Sequence, residues 1–363
     1  MTRSLWNGWI FLAVLCTALA QEAPYPASPV IAKVQFDWST HHRDAQGSDN
    51  WQMTWADDGH QYAPWGDGGG FGGTNSDGRV SLGVGRIEGD FPGYKGVNVW
   101  GGKNALHPAG VNGKSWGIVS VGGVLYMWVS PGSPLAVMQK EARLYRSKDH
   151  AATWEAAEWA FTREQGLTIP TICQFGRDYA GARDGYVYHY FIQPRDTGSD
   201  RVQKPGAVYL TRSAKGRMWE RDAYEFVVGW KGRRTPVWGS DVARKVAVFE
   251  DPRGVGWVMS ATYHVGLKRY LLMTDHEVSN RGNLGIFDAP EPWGPWTTAL
   301  YLNESEGTNF GNGRIEPNTF FWSMPVKWQN GLEFVLAFTG SGRGKDNDSL
   351  NLIRGKFERK RKQ

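Results

Sequence analysis

Five times between residues 51 and 338 the sequence repeats one figure: two runs of aromatic and β-branched residues around a turn built from Gly, Asp or Asn. The instances are WQMTWA-DDG-HQYAPW at 51–65, WGIVSV-GG-VLYMWV at 116–129, YAGA-RDG-YVYHYF at 179–191, KVAVFE-DPRGVG-WVMSATY at 245–263 and MPVKW-QNG-LEFVLAF at 324–338. Each reads as a β-hairpin, because such turns supply the positive φ that tight strand reversal requires. A spacing of roughly 55 to 75 residues is that of a repeat. A third run follows several of the hairpins: ARLYRSKD at 142–149, AVYLTRSAK at 207–215 and KRYLLMTDH at 268–276. No amphipathic helix of convincing length follows residue 30.

The two ends of the repeat complete one another. Only one strand, SLNLIRGKF at 349–357, follows the last hairpin, and a lone strand, PVIAKVQFDW at 29–38, precedes the first. Paired, they would finish one sheet and leave no open edge. The expected fold is all-β: a five-bladed β-propeller, its ring closed by the N-terminal strand pairing with the C-terminal blade. A β-sandwich and a two-domain arrangement are the alternatives. The 47 Gly and 19 Trp among 363 residues suit many short strands and tight turns.

Charge excludes one class of partner. The formal net charge is +5, but RGKFERKRKQ at 354–363 carries six basic side chains and one acid, so the body is close to neutral. No basic groove for nucleic acid is expected, and the tail reads as a solvated end. Residues 1–20 read as a signal peptide, with Arg3, an apolar run at 5–15 and Ala18-Leu19-Ala20 as the cleavage site. The expected organisation is signal peptide 1–20, one propeller domain 21–357 and a basic tail 358–363. A secreted or periplasmic monomer without a membrane span is expected. Cys16 would leave with the signal, so Cys173 remains as a single thiol and no internal disulfide can form.

In a propeller the starts of the innermost strands converge on the axis at one face. Counting back from each hairpin turn places Asp49-Asn50, Lys114-Ser115, Arg177-Asp178-Tyr179, Arg244-Lys245 and Trp322-Ser323 there. Glycosidic cleavage needs one carboxyl kept protonated and a second that attacks or activates water. Asp49 and Asp178 are the expected pair, with Tyr179 beside them and Arg177 and Arg244 positioning them. Alternatively either Asp caps a strand turn or pairs with its neighbouring Arg. The loop at 37–50 carries Asp37, His41, His42 and Asp44; Asp37 is a rival partner for Asp49, and His42 an expected substrate contact. Trp100 and His107 precede the second hairpin, where an exposed aromatic would stack on sugar rings and a buried one would simply pack.

No cofactor and no catalytic metal is expected, because adjacent histidines lack the i, i+4 spacing that aims two imidazoles at one ion. The turns Asp57-Asp58-Gly59 and Asp346-Asn347-Asp348 have the composition of a structural Ca²⁺ site, although hairpin turns look like this without metal. The cluster GDGGGFGG at 66–73 lacks the Lys-Ser/Thr of a phosphate loop, and no Gly-x-Ser-x-Gly elbow occurs. The segment Ser147-x-Asp149-x-Ala151-x-Thr153-Trp154 matches the Asp-box turn of carbohydrate-active propellers, with Ala where Gly is usual. That turn is a capping device, so it receives no catalytic role.

The strings SDNWQMTWADDGHQYAPWGDGGGF, GRDYAGARDGYVYHY and DAPEPWGPWTTALY resemble a secreted bacterial β-propeller family, originally of unknown function, that includes endo-D-arabinanases. The resemblance covers nearly the whole mature chain and implies a glycoside hydrolase that uses aspartates. The chain is more distantly similar to propeller ulvan lyases. That likeness implies β-elimination on a uronate glycan, with Tyr179 or His107 moving protons and Arg177 or Arg244 neutralising the carboxylate. The leading expectation is polysaccharide hydrolysis, followed by the lyase and then by a non-catalytic glycan-binding scaffold.

Overall fold

In the computed structural model the described residues are 23–361, except 133–139, 195–200, 233–234, 304–308, 311–312, 315–318 and 341–347. The expected leader, Cys16 included, lies outside them. Strand β1 (Ile31–Asp44) is followed by a first meander of β2 (Thr54–Trp55), β3 (Gln61–Gly66), β4 (Leu82–Glu88) and β5 (Lys95–Trp100). A second meander holds β6 (Gly113–Val121), β7 (Val124–Pro131), β8 (Glu141–Ser147) and β9 (Glu155–Thr162). The third contains β10 (Thr168–Gln174), β11 (Tyr186–Ile192), β12 (Val202–Gln203), β13 (Gly206–Ala214), β14 (Tyr224–Lys231), β15 (Thr235–Gly239) and β16 (Ala247–Asp251). After β17 (Val255–Gly256) comes a fourth, β18 (Ser260–His264), β19 (Arg269–Thr274), β20 (Leu284–Ala289) and β21 (Thr297–Leu302). A short pair, β22 (Asn309–Phe310) and β23 (Gly313–Arg314), precedes β24 (Phe320–Ser323), β25 (Glu333–Thr339) and β26 (Leu350–Arg359).

The last sheet has the order β1-β26-β25-β24, so the N-terminal strand pairs antiparallel with the C-terminal one, from Ile31↔Arg359 to Asp44↔Leu350. Strand β26 therefore runs past residue 357. Its outer half alternates exposed charge with buried Gly355 and Phe357, and the Lys360 N–H donates to Val30 C=O at 2.8 Å. The charged end is thus partly strand rather than tail.

Three hairpins read from the sequence are corrected. In the fifth, MPVKW at 324–328 is not a strand: Val326–Trp328 forms a 3-10 turn, and β25 pairs instead with β24. The segment YAGA at 179–182 is not a strand; Arg177–Tyr179 forms a 3-10 turn, and β11 pairs instead with β10, whose sequence is TIPTICQ. Strand β10 is almost entirely buried, and a strand buried on both faces shows no alternation by which to recognise it. Likewise KVAVFE forms β16, which pairs with β13 of the third sheet, while β18 pairs with β19.

The first strands of the sheets gather around one axis. Strands β10 and β18 are parallel neighbours through Cys173↔Ala261 and Gln174↔Thr262. Ser120 N–H donates to Thr54 Oγ1 at 2.9 Å, Gln174 Nε2 to Ile118 C=O at 2.6 Å, Gln329 Nε2 to Thr262 Oγ1 at 3.3 Å and Ser323 Oγ to Trp51 C=O at 3.1 Å. Among the described residues, the inner strands leave a void of about 10 Å³ between Gln52, Gln174, Ser260 and Ser323, with room for one water. Aromatic side chains pack the spaces between sheets, as where Trp51 lies 5.7 Å from Trp65 and 5.3 Å from Phe71. The Trp-rich composition is thereby explained. No helix among the described residues is long and apolar enough to cross a membrane.

Candidate active site

One end of the axis gathers breaks in strand register. Register breaks fall at Ser115/Gly117, Thr168/Thr171 and Phe320/Ser323, near the starts of β6, β10 and β24. Asn50, Ile169 and Phe321, at or beside the starts of inner strands, have φ of 64°, 49° and 58°. A β-branched residue such as isoleucine rarely adopts positive φ, and bulges and backbone strain both concentrate beside functional sites.

Asp49 sits at this end. Its backbone exchanges two hydrogen bonds with Gly66, of 2.9 and 2.8 Å, which seat its side chain against a residue that has none. A Cβ on Gly66 would overlap Asp49 Oδ1 and come within 3.0 Å of Lys114 Nζ. Lys114, at the start of β6, forms an ion pair with Asp67 at 2.5 Å, and Arg79 reaches the same carboxylate at 3.2 Å. Asp348 joins them through its charge interactions with Asp67, Lys114, Arg79 and Arg201. Burial pushes the Asp49 carboxyl up to about 8; Lys114 opposes the shift, and Asp67 and Asp348 reinforce it. Asp348 is raised as well, first by burial and then by Asp67. The cluster therefore sets a buried carboxyl of raised proton affinity beside an ion-paired carboxylate, an arrangement suited to general acid–base chemistry.

An aromatic floor adjoins it. The Arg201 guanidinium lies 5.2 Å over the half-buried Trp257, whose ring is 6.3 Å from Trp116 and 4.9 Å from Phe321. Trp257 Nε1 donates to Ser279 Oγ at 2.8 Å and Ser279 Oγ to Asp275 Oδ2 at 3.3 Å, while Trp322 Nε1 donates to Asp275 Oδ1 at 2.8 Å. Burial raises Asp275 to about 7, opposed by its two hydrogen bonds. Asp275 orients both indoles.

The structure does not bring Asp178 to Asp49. Asp178 follows β10 in the 3-10 turn, with φ of 50°, and accepts from Ser120 Oγ at 2.8 Å and Gly123 N–H at 3.1 Å. Ser120 is six residues along β6 from Lys114, about 20 Å of strand at ~3.3 Å per residue, which puts Asp178 and Asp49 at opposite ends of the inner strands. Tyr179 and Arg177 go with it: Tyr179 is buried 5.0 Å from Phe175, and Arg177 Nε donates to Asp57 C=O at 3.0 Å. The displacement follows from the misassigned strand at 179–182. Arg244 stands exposed in a 3-10 turn between β15 and β16, since the run that follows it belongs to the third sheet.

Trp100 and His107 do meet, at the outer strand β5 rather than at the axis. Gly101 N–H donates to His107 C=O at 2.7 Å, and Trp100 is buried 6.3 Å from Trp154. His42 and Asp37 lie on β1, the outermost strand of its sheet, because the run at 31–44 continues as strand instead of crossing the face. His42 is edge-on to Tyr94 at 5.5 Å, Asp37 accepts from Ser39 Oγ at 2.6 Å, and Asp44 accepts from Tyr94 at 3.2 Å.

Asp67, Arg79, Arg201, Trp257 and Asp275 escaped the sequence reading. For two of them position is a signal: Asp67 lies within the glycine cluster and Arg79 shortly after it, where the backbone approaches its neighbours closely. At the far end, Asp57, Asp58 and His150 bring ligand atoms within 4.8 Å of one another. These groups could hold a cation, but His150 Nε2 already meets Asp57 Oδ1 at 2.9 Å, and Tyr62 donates to Asp58 at 2.7 Å. Asp346 and Asn347 lie outside the described residues. The turn at Ser147 is held by its own side chains: Ser147 Oγ donates to Asp149 Oδ1 at 2.8 Å, and Thr153 N–H to the same oxygen at 2.9 Å.

No family profile and no curated protein matches the chain. Solved structures do. A protein from Bacteroides ovatus ATCC 8483 described as a "putative hydrolase" shares 10% identity over 86% of this chain and 87% of its own, with a TM-score of 0.53. A GH43_1 enzyme from Xanthomonas citri shares 14% identity over 88% of this chain and 91% of its own, at 0.48. A family 117 glycoside hydrolase from Zobellia galactanivorans shares 8% over 90% of each chain, at 0.46. The first of these likenesses shows a shared fold, and identities this low speak to fold alone. Meanders set around a common axis define an all-β protein of the propeller type.

Proposed function

We propose that this chain is a secreted or periplasmic glycoside hydrolase acting on a polysaccharide, built as a five-bladed propeller whose closing blade is shared between β1 and β24–β26. The observation that carries the reading is Asp49: a carboxyl raised to about 8 by burial, at the irregular end of the axis, beside the ion-paired Asp67. Asp49 donates its proton to the leaving oxygen. Asp67, fixed by Lys114 and Arg79, serves as the carboxylate that attacks the anomeric carbon or activates water. Asp348 adds negative charge that favours a protonated Asp49. Trp257 offers a face for a sugar ring. The sequence resemblance to a family containing endo-D-arabinanases agrees with this chemistry. The lyase constellation has no comparable support, since Tyr179, His107 and Arg244 stand apart from the cluster.

The test is a polysaccharide panel, arabinan included, incubated with purified protein. Saturated reducing ends released by the wild type and absent with Asp49→Asn and Asp67→Asn are expected. A product absorbing in the ultraviolet as an unsaturated uronate would assign elimination instead. Glycan retention without any product would assign a scaffold.

A further inference from the structure

The cations around Asp49 are not equally committed. Lys114 and Arg79 both pair with Asp67, at 2.5 and 3.2 Å. Arg201 differs: it is exposed and, among the described residues, forms no ion pair. It meets Asp348 through longer-range charge alone, and Asp348 in turn acts on Asp49. The position of Arg201 is nevertheless built. Val202 and Gln203 of β12 pair antiparallel with Gly256 and Val255 of β17, so the next pair across the ribbon is Arg201 and Trp257. The guanidinium carbon lies 5.2 Å from the centre of the indole. The ribbon is closely seated, because Gly256 N–H donates to Asp275 C=O at 2.8 Å and a Cβ on Gly256 would overlap the Asp275 side chain. Asp275 also holds the indole through Ser279.

A guanidinium resting on an aromatic face gives up water on that face and keeps its N–H edge free. Such an edge matches two oxygens of an oxyanion, which accept parallel, charge-assisted hydrogen bonds. The surroundings favour an anion as well. While Asp49 holds its proton, the cations Lys114, Arg79 and Arg201 outnumber the carboxylates Asp67 and Asp348 by one. A neutral sugar would leave that excess unanswered, whereas a singly charged unit would cancel it. We infer that Arg201 binds an oxyanion substituent, a carboxylate or a sulfate ester, on a sugar unit next to the bond that Asp49 and Asp67 cleave, so that the preferred substrate is an acidic glycan. The inference rests on the hydrolase reading of the cluster and names the class of chain that such a hydrolase takes.

The experiment uses the full chain carrying Asp49→Asn, titrated calorimetrically with acidic oligosaccharides of two kinds. Hexagalacturonate, hexamannuronate and an unsulfated chondroitin hexasaccharide present carboxylates, and a κ-carrageenan hexasaccharide presents sulfate esters. Their carboxyl-reduced or desulfated forms are the neutral comparators. At least one acidic oligosaccharide is expected to bind at least about tenfold tighter than its neutral counterpart, and the kind that does so identifies the anion. Arg201→Gln should erase this preference with the melting temperature unchanged. Lys204→Gln, which removes an exposed charge just past β12, should keep it. The inference is overturned if no acidic form binds more tightly than its neutral counterpart, if the preference survives Arg201→Gln, or if Lys204→Gln also abolishes it. The two readings fail separately. Reducing ends released by the wild type from a neutral glycan, with no gain from charge, would leave hydrolysis standing and reject the acidic substrate. Arg201-dependent binding of an acidic oligosaccharide by a protein that cleaves nothing would reject the proposed reaction and leave the anion site standing.

Discussion

Asp49 is buried against a glycine and among charges of both signs, and its titration follows from that setting. Acting as a proton donor, it should give an activity that falls as pH rises through about 8, read from the alkaline limb of kcat. Asp49→Asn should lower kcat by about 10²-fold or more with glycan binding retained. The same shift bears on stability. A carboxyl raised from about 4 in the unfolded chain to about 8 in the folded one binds more protons when folded, so stability declines as pH rises through that window and levels off above it. Asp275, raised to about 7, acts in the same direction. Thermal melts at pH 5, 7 and 9 should show this decline, and Asp49→Asn should flatten it. Gly66→Ala tests the close approach: added bulk displaces the Asp49 carboxyl, so kcat should drop about tenfold or more while circular dichroism stays native.

At the scale of elements, what matters is which end of an inner strand a residue occupies. Asp178 ties the turn after β10 to the hairpin joining β6 and β7, through Ser120 and Gly123. Asp178→Ala should cost about 1–3 kcal/mol in chemical denaturation, because it orphans a buried hydroxyl and an amide. Asp178→Asn tolerates the left-handed backbone and keeps an acceptor, so turnover should remain within about threefold of wild type. A collapse of kcat in Asp178→Asn with unchanged stability would return that residue to the catalytic role expected from sequence. The error behind that expectation was one of period. Strand β10 is buried on both faces and shows no alternation, so the next recognisable run, at 179–182, took its place and carried Arg177, Asp178 and Tyr179 to the wrong end.

For the whole molecule, the pairing of β1 with β26 joins the two ends of the chain. Removing residues 23–44 would leave the long, partly apolar β26 as an open edge, and size-exclusion chromatography should then show aggregation. Removing residues 361–363 should leave melting temperature and oligomeric state unchanged, since β26 ends at Arg359 and, among the described residues, its last backbone tie is Lys360 to Val30.

Local chemistry was legible in the sequence. Turn residues marked two hairpins in their correct places, the lone runs at 29–38 and 349–357 announced their pairing, and Asp49 and Lys114 were found at inner-strand starts. Periodicity and turn composition are properties of a few neighbouring residues, so one chain suffices to read them. The company Asp49 keeps was decided by tertiary structure. Asp67 and Arg79 come from the loop after β3, Asp348 from the loop before β26, and Trp257 from the connection before β18. Nothing local distinguishes those side chains from any other polar or aromatic residue in a loop. Only the arrangement of sheets around the axis brings them to one place, where low solvent access and shared charge give an ordinary aspartate an unusual proton affinity.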